Sequence, residues 1–355
     1  MVTSSLESIY KADGAVFTDR SGHKIVSHFG NFHKEIEVLQ SNAGLLDMSY
    51  CDRLNVTGDD ALDLLNRLST NQLEGMDIGS VRWTILTTPK GRIIDVLRVA
   101  RMEDYLSVGA SPERIRNIME WIDFYTFGED VQLVDVSQNT VEFSLIGPNA
   151  PLVLGKFVTG GKVLPNHTCD SVQIGDTSIA VIRSDMKDYP RINVICQSDV
   201  AINLRQSLFE AGKDFHLMAV GFQAEDFLRI TLGIPIYGFE LDDKVDPLTA
   251  GLLGYVNFEK GCYVGQEVVT RLNTYQKIKK KLMTIQLRDE VNLGAEIYSD
   301  NTLIGEITSV APGEQGQWNS LAYVKKTYAI PGLVCTVGPE SSVEARIVAE
   351  CSIKV

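Results

Sequence analysis

Apolar positions in the N-terminal third of the chain follow both helical and strand periods. Apolar side chains recur at i, i+3, i+4 and i+7 over residues 61–68, which predicts an amphipathic helix. Apolar runs at 81–88 and 93–100 flank a Pro-Lys-Gly turn and predict a β-hairpin. The Ser-Pro-Glu sequence that starts at Ser111 is typical of a helix N-terminus, so we expect a helix to begin there.

Residues 138–276 show a similar mixture of strand and helix patterns. Strand patterns lie at 141–146, 178–183 and 191–196, and helix patterns lie at 200–211 and 222–230. Their order lacks the regular strand–helix–strand alternation of a doubly wound parallel sheet. The pattern therefore indicates the α+β class.

The last part of the chain changes to short apolar runs without a helical period. These runs are separated by Gly, Pro and Asn, and they lie at 281–287, 296–299, 303–310, 320–324 and 333–337. Short strands divided by turn residues are typical of a small β-barrel or sandwich. We therefore predict three parts, at 1–137, 138–276 and 277–355, of which the last is a C-terminal β-barrel.

Composition excludes several classes of protein. The 355 residues include 46 acidic and 33 basic side chains, a formal net charge of −13, and 44% of them are hydrophobic. This apolar content excludes general disorder, and the acidic balance disfavours direct nucleic-acid binding and docking on an anionic membrane. No apolar run is long enough to span a bilayer, and the N-terminus has no secretory or transit pattern. We predict a cytoplasmic protein with no membrane partner.

The cysteines predict no metal site. They lie far apart, no pair forms a CxxC motif, and no histidine has zinc-ligand spacing from them. The six are Cys51, Cys169, Cys196, Cys262, Cys335 and Cys351. We expect free thiols in a reducing compartment, and no cluster held by this chain alone.

Residues 260–271, KGCYVGQEVVTR, have the most distinctive chemistry in the chain. Two glycines bracket a Cys-Tyr pair, and glycine permits a tight turn and a close approach of backbone to a ligand. A helix that begins near Gln266 would place Cys262 at its positive end, where Lys260 and Arg271 would also favour a thiolate. The alternative is an inert, buried cysteine packed at a turn.

This segment resembles the signature of the YgfZ family, K-G-C-aromatic-x-G-Q-E-x-x-x-R, and every fixed position matches. Residues 227–251 are similar to the family's segment before the signature. Residues 44–99 resemble the N-terminal part that YgfZ shares with the T-protein, the aminomethyltransferase (GcvT) of the glycine cleavage system. The tail is similar to the T-protein's C-terminal domain, so the resemblance extends from about residue 20 to residue 350.

The resemblance implies a T-protein-like fold whose domains surround a central channel for tetrahydrofolate, with a folate-binding part at 1–137. YgfZ-type proteins support the assembly or repair of iron–sulfur clusters and, through the enzymes that carry them, tRNA modification. The important residue of their signature is the cysteine, here Cys262, and the roles of nucleophile, redox thiol and shared cluster ligand all stay open. The other signature residues are Lys260, Gly261, Tyr263, Gly265, Gln266, Glu267 and Arg271.

The chain departs from the T-protein at several positions, one of which is an acid. The T-protein has an Asp-Asp pair after its hairpin, and its second Asp assists aminomethyl transfer. Asp95 matches the first acid, but Val96 replaces the second and cannot exchange a proton. This departure argues against standard aminomethyl transfer.

The folate-binding residues that the resemblance implies are Trp83, Asp95, Arg229 and Tyr237. An aromatic ring such as that of Trp83 suits stacking on a pterin. Three of them have structural alternatives. Trp83 suits an apolar core, Arg229 can pair with an adjacent acid such as Asp226, and Asp95 can be a satisfied core acid.

We expect a tetrahydrofolate-binding, YgfZ-like protein that supports iron–sulfur cluster assembly or repair, with assembly factors or iron–sulfur client proteins as partners. A tetrahydrofolate-dependent aminomethyltransferase or demethylase is the alternative, and a non-catalytic scaffold is the third. The run of Lys277, Lys279, Lys280 and Lys281 predicts a solvated connector, or else a contact with a folate polyglutamate tail or an RNA phosphate.

Overall fold

The computed structural model describes residues 6–20, 22–158, 161, 163–175, 177–313, 316–338 and 343–353. The chain divides into two compact units. Unit 1 comprises Met1–Leu65, Leu73–Trp83 and Leu97–Glu225, and unit 2 comprises Asn66–Gln72, Thr84–Val96 and Asp226–Val355. Each unit consists of three segments that are distant in sequence. The three predicted parts, by contrast, are continuous stretches of the chain, and that division stays a prediction.

The helices and strands alternate irregularly along the chain. The helices are α1 (Glu7–Ala12), α2 (Phe32–Ser41), α3 (Ala61–Leu68), α4 (Ile115–Phe124), α5 (Ala150–Phe157), α6 (Ala201–Gly212), α7 (Phe222–Leu232) and α8 (Gln266–Thr274). The strands up to the barrel are β1 (Val16–Arg20), β2 (His23–His28), β3 (Ala43–Asp47), β4 (Asp52–Thr57), β5 (Val81–Thr87), β6 (Ile93–Arg101), β7 (Leu106–Ala110), β8 (Gln132–Asp135), β9 (Thr140–Ile146), β10 (Thr168–Ile174), β11 (Thr177–Arg183), β12 (Arg191–Gln197) and β13 (Leu217–Ala219).

Unit 1 contains a six-stranded sheet with the order β10-β11-β12-β9-β3-β13. Neighbouring strands are antiparallel except β13 and β3, which are parallel. β9 is buried along its whole length, so both of its faces are covered. Helices α5 and α6 pack against each other and against β12, and apolar side chains from these elements form the main core of the unit.

Two smaller sheets complete the N-terminal half of the chain. Strands β1 and β2 form an antiparallel pair, and a five-stranded sheet has the order β5-β6-β7-β4-β8. The predicted helix at 61–68 is confirmed as α3, and the strands of the predicted hairpin are confirmed as the neighbours β5 and β6.

The predicted C-terminal β-barrel is confirmed in unit 2. Its strands close in the order β14-β17-β16-β15-β18-β19. They are β14 (Lys280–Leu287), β15 (Glu296–Ser299), β16 (Thr302–Pro312), β17 (Trp318–Lys325), β18 (Val334–Val337) and β19 (Val343–Glu350). Ile285 and Leu287 point into the barrel core while Gln286 between them is exposed, as the two-residue period of a strand requires.

The helix expected to begin at Ser111 begins later. α4 starts at Ile115, and Glu113 has a φ of +59°, outside the helical range. The carboxylate of Asp52 accepts the backbone N–H groups of Arg114 and Ile115, both at 2.6 Å. The prediction of the start was wrong because an acid distant in sequence binds the first N–H groups of the helix.

Candidate functional site

Lys260 anchors the signature turn through its side chain. The residue is 9% exposed, and its Nζ donates hydrogen bonds to the carbonyl oxygens of Asn66, Ser69 and Asn71 at 2.6, 2.8 and 2.7 Å. These carbonyls lie at the end of α3 and just beyond it, where a helix leaves carbonyl groups without N–H partners. The three contacts match the three donors of an ammonium group, so Lys260 fixes the turn rather than offering its charge to a folate tail.

The two glycines of the signature differ in their surroundings. Gly265 has a φ of +87°, and a Cβ built on it would lie 2.5 Å from the carbonyl oxygen of Thr88. A side chain at this position would therefore force the neighbouring backbone to shift. Gly261 has no atom within 4 Å of the corresponding position, so its lack of a side chain meets no steric need.

Cys262 is exposed to solvent, unlike the other cysteines of the chain. The alternative of a cysteine buried at the turn is therefore wrong, and the reactivity of the thiol stays a prediction. The predicted helix is confirmed as α8, but its first residue is Gln266 and its N-cap is Gly265, so Cys262 lies before the first helical turn. Arg271 lies in the last turn of α8, at the opposite end of the helix.

Tyr263 packs under the turn. The residue is 7% exposed, and Nζ of Lys260 lies 5.5 Å from its ring centroid, within range of a cation–π contact. Burial raises the pKa of its hydroxyl, which stays protonated, and this hydroxyl has no hydrogen-bond partner in the described part of the chain. Gln266 is half-buried, and Glu267 is exposed in the first turn of α8, where an acid complements the helix dipole.

Asp95 and Val96 lie in β6. Asp95 is fully buried, and its Oδ1 accepts the N–H of Val96 at 2.9 Å. The side chain of Val96 packs against an apolar cluster of unit 2 that includes Ile93 and Val269. Val96 thus has a packing role where the T-protein has its second acid, and the contact of Asp95 with a folate stays a prediction.

Arg229 is held by acids inside unit 2. It is 1% exposed, and its guanidinium contacts Asp226 at 2.5 Å, Glu240 at 3.0 Å and the hydroxyl of Ser309 at 2.8 Å. The structure contains the ion pair with Asp226 that we considered from the sequence, but Arg229 is buried rather than on the surface. Two carboxylates already balance the charge of Arg229, and its binding of a cofactor stays a prediction.

Trp83 and Tyr237 are the aromatic candidates. Trp83 is half-buried in β5 and belongs to unit 1. Tyr237 is half-buried in unit 2, where it packs against the apolar cluster that also receives Val96. Each ring therefore keeps part of its surface open to solvent.

The donor chemistry of these residues fits one part of a reduced folate. A pterin has a flat ring and N–H donors, which suit the aromatic rings and the carboxylate of Asp95. The folate tail carries carboxylates and needs cations, but Lys260 and Arg229 already have protein partners. These two contacts use the charges of Lys260 and Arg229 inside the protein.

Buried charges of unit 1 form a cluster that sequence reasoning did not single out. Glu142 in β9 accepts hydrogen bonds from Arg98 at 2.9 Å and Asn193 at 2.5 Å. Arg191 pairs with Glu225 at 3.3 Å. The sequence signal was a glutamate in a mostly apolar strand pattern, because a charge buried in such a strand needs a partner.

Two general properties bear on the site. Within the described residues, no three His, Cys, Asp or Glu side chains are grouped as a metal site requires. None of the helices in the described ranges is long and apolar enough to cross a membrane.

Comparison with solved structures identifies the fold. The chain superimposes on the glycine cleavage system aminomethyltransferase T from Bartonella henselae with a TM-score of 0.88 and 20% sequence identity, covering 98% of this chain and 97% of that one. This confirms the predicted α+β, T-protein-like fold with its C-terminal β-barrel.

The chain belongs to the GCVT N-terminal domain family, whose model matches residues 6–260. It is 28% identical over 309 residues to an aminomethyltransferase of Caldanaerobacter subterraneus subsp. tengcongensis, covering 86% of this chain and 82% of that protein. It is also 28% identical over 311 residues to an aminomethyltransferase of a Geobacillus species, covering 86% and 85%. The narrower YgfZ-type assignment stays a prediction.

Proposed function

We propose that this GCVT-family protein binds a tetrahydrofolate and uses the Cys262 thiol to support iron–sulfur cluster assembly or repair. The observation that supports folate binding is the family match over residues 6–260, together with relatives named aminomethyltransferases over most of the chain. The central folate channel and the partner proteins, iron–sulfur assembly factors or iron–sulfur clients, belong to the same proposal.

The thiol part of the proposal is supported by the signature turn. Lys260 and Gly265 fix the backbone on both sides of Cys262, and the cysteine itself is exposed. A fixed, accessible thiol can meet a partner protein or an electrophile, which a buried thiol cannot. Its role as nucleophile, redox thiol or shared cluster ligand stays open.

A one-carbon transferase is the second candidate function. The names of the relatives favour it, since both of those described above are aminomethyltransferases. Val96 argues against aminomethyl transfer in particular, because an apolar side chain at this position cannot exchange a proton with an amine. A tetrahydrofolate-dependent demethylase is compatible with Val96.

Calorimetric titration with 5-formyltetrahydrofolate, a stable reduced folate, tests the cofactor. We expect binding by the wild-type protein and a loss of about tenfold in affinity in Asp95→Asn, because a neutral amide accepts pterin N–H bonds less strongly than a carboxylate. Asp123→Asn, at an exposed position, is the matched control. No binding by the wild-type protein would defeat the folate proposal.

Complementation tests the thiol. In cells that lack this protein, we expect Cys262→Ser to fail to restore the activity of iron–sulfur enzymes, whereas Glu259→Gln, an exposed neighbour, restores it. Restoration by Cys262→Ser as complete as by wild type would remove the thiol from the proposal. Formation of 5-methyl- or 5,10-methylene-tetrahydrofolate from a panel of methylated amines would favour the transferase instead.

A further inference from the structure

We propose that a cluster of lysines in unit 2 binds the oligo-γ-glutamate tail of a folate. The lysine cluster consists of Lys277, Lys279, Lys280, Lys325 and Lys326. It lies just after α8 and at the adjoining ends of β14 and β17. The inference rests on the proposed binding of a folate and names the form of folate that the protein selects.

Backbone pairing brings the cluster together. Lys280 in β14 lies directly opposite Lys325 in β17. The N–H of Lys326 donates to the carbonyl oxygen of Lys279 at 2.9 Å. Lys277 follows Gln276, whose carbonyl oxygen accepts a hydrogen bond from the Nζ of Lys326, and the Nζ of Lys277 lies 5.1 Å from the ring centroid of the exposed Tyr275. Residues separated by about fifty positions in sequence thus form one basic surface.

The charge of this surface is not compensated. Over the described ranges of the chain, no ion pair joins a member of the lysine cluster to a carboxylate. Lys325 and Lys326 donate only to the carbonyl oxygens of Leu303 and Gln276, at 2.6 and 2.8 Å. By contrast, Lys281, the next residue in β14, pairs with Glu350 at 2.6 Å and so stands outside the cluster.

An uncompensated cluster in this chain points to an anionic ligand. Acidic residues outnumber basic ones by 46 to 33, so unpaired lysines at one place are not a consequence of composition. Like charges directly opposite each other in antiparallel strands are destabilising. A bound anion would offset the repulsion between Lys280 and Lys325, which no carboxylate in the described part of the protein offsets.

The size and charge of the ligand favour a short tail over a large polyanion. With a net charge of −13, the rest of the chain repels nucleic acid and acidic protein surfaces that would extend beyond the cluster. A tail of several glutamates places its carboxylates on the cluster alone. α8 links the Cys262 turn to the cluster, and its nine residues span about 14 Å. A folate held near the turn could thus reach the cluster only with an extended tail.

Titrations with tetrahydrofolate monoglutamate and pentaglutamate test the inference. We expect wild-type protein to bind the pentaglutamate about tenfold more tightly in low salt, and the difference to shrink as salt screens the contacts. The combined variant Lys277→Gln, Lys279→Gln and Lys280→Gln should bind both forms equally and keep the wild-type affinity for the monoglutamate. It leaves Lys325 and Lys326 in place, because their side chains hold backbone carbonyls.

A second triple variant controls for the loss of three positive charges. It changes exposed lysines elsewhere in the chain to glutamine, at Lys34, Lys90 and Lys244. We expect this control to retain the wild-type preference for the pentaglutamate. A preference lost equally in both triple variants would show a general charge effect and overturn the assignment to the cluster.

The outcomes separate this inference from the proposed function. Equal wild-type affinities for both folates would overturn the lysine cluster as a tail site and leave folate binding intact. No binding of either folate would overturn both. Pentaglutamate binding without monoglutamate binding would support the cluster and contradict a pterin site. A short RNA that binds wild type more tightly than the pentaglutamate, and loses binding in the first variant, would replace the tail with a nucleic acid.

Discussion

Cys262 differs in environment from the other cysteines of the chain. It is exposed, whereas Cys169, Cys196, Cys335 and Cys351 are buried and Cys51 is intermediate. Burial raises the pKa of the Cys51 and Cys196 thiols to about 12 and of the Cys169 and Cys335 thiols to about 11. These four side chains stay protonated at neutral pH and are poor nucleophiles.

We therefore predict that a maleimide labels the native protein mainly at Cys262. Peptide mass spectrometry after a short reaction near neutral pH should find the adduct on the peptide that contains Cys262, and Cys262→Ser should remove nearly all of it. Unfolded protein, in which all six thiols are accessible, is the control. Equally fast labelling at Cys51 or Cys169 in the folded protein would contradict this prediction.

The two glycines of the signature give a matched pair of variants. We expect Gly265→Ala to lower the free energy of unfolding by roughly 2–4 kcal/mol, because a Cβ there requires a left-handed backbone and overlaps the carbonyl of Thr88. At Gly261 a Cβ would meet no atom within 4 Å, so Gly261→Ala should change the free energy of unfolding by about 0.5 kcal/mol or less. Urea unfolding of both variants measures the difference, and equal losses would contradict the assigned turn geometry.

At the residue scale, the sequence singled out Cys262 as a candidate but did not predict its surroundings. The spacing of KGCYVGQE indicated a turn and a following helix, and α8 confirms the helix. The carbonyl partners of Lys260 lie at the end of α3, almost two hundred residues earlier in the chain. A local pattern cannot report a contact of that sequence separation.

At the scale of elements, Lys260 joins the signature turn to the end of α3. We predict that Lys260→Met, which keeps the apolar stem of the side chain, destabilises the protein by roughly 3 kcal/mol, because the carbonyls of Asn66, Ser69 and Asn71 lose their donor. Hydrogen exchange should rise in residues 257–265. Lys244→Met, at an exposed position, is the control and should leave both the stability and the exchange near wild type.

Elements with an internal pattern were predictable, whereas their contacts were not. The helix at 61–68 and the barrel strands were predicted from the spacing of apolar residues, because that spacing is visible within each segment. The start of α4 was misplaced because the N–H groups of Arg114 and Ile115 donate to Asp52, in a strand some sixty residues earlier. β19 and β10 were not predicted, and each of them contains polar residues that weaken the strand pattern.

At the scale of the whole molecule, each unit contains a buried ion pair. Glu142 pairs with Arg98 at 2.9 Å in unit 1, and Glu240 pairs with Arg229 at 3.0 Å in unit 2. Breaking a buried pair leaves an uncompensated charge and costs about 3–5 kcal/mol. The sequence did not predict either pair. Glu142 and Arg98 lie on different strands, and Glu240 follows the turn after the helix that contains Arg229. The order of residues along the chain does not show which side chains come into contact.

Glu142 also predicts acid sensitivity. Burial opposes its ionisation, but the guanidinium groups of Arg98 and Arg53 outweigh burial and hold its pKa below the ordinary value. A depressed pKa contributes stability above the unfolded pKa of about 4–5, and this contribution is lost as the pH falls through the lower folded value. Urea unfolding should give Glu142→Gln a lower free energy of unfolding than wild type at about pH 7. The difference between the two free energies should shrink towards about pH 3. A constant gap would contradict the assigned pKa shift.

Glutamine variants of the two acids should reveal which elements depend on each pair. Hydrogen exchange measured by mass spectrometry should rise in β9 and β12 in Glu142→Gln, because the amide oxygen that replaces the shared carboxylate acceptor of Arg98 and Asn193 carries no charge and leaves Arg98 uncompensated. In Glu240→Gln it should rise in α7 and β16, because Glu240 holds both Arg229 and the hydroxyl of Thr308. Glu267→Gln, exposed on α8, controls for the loss of one acid. An ion pair that stabilises a core should expose the surrounding backbone to exchange when it is broken. Unchanged hydrogen exchange in the named elements of either variant would therefore contradict the role given to that pair.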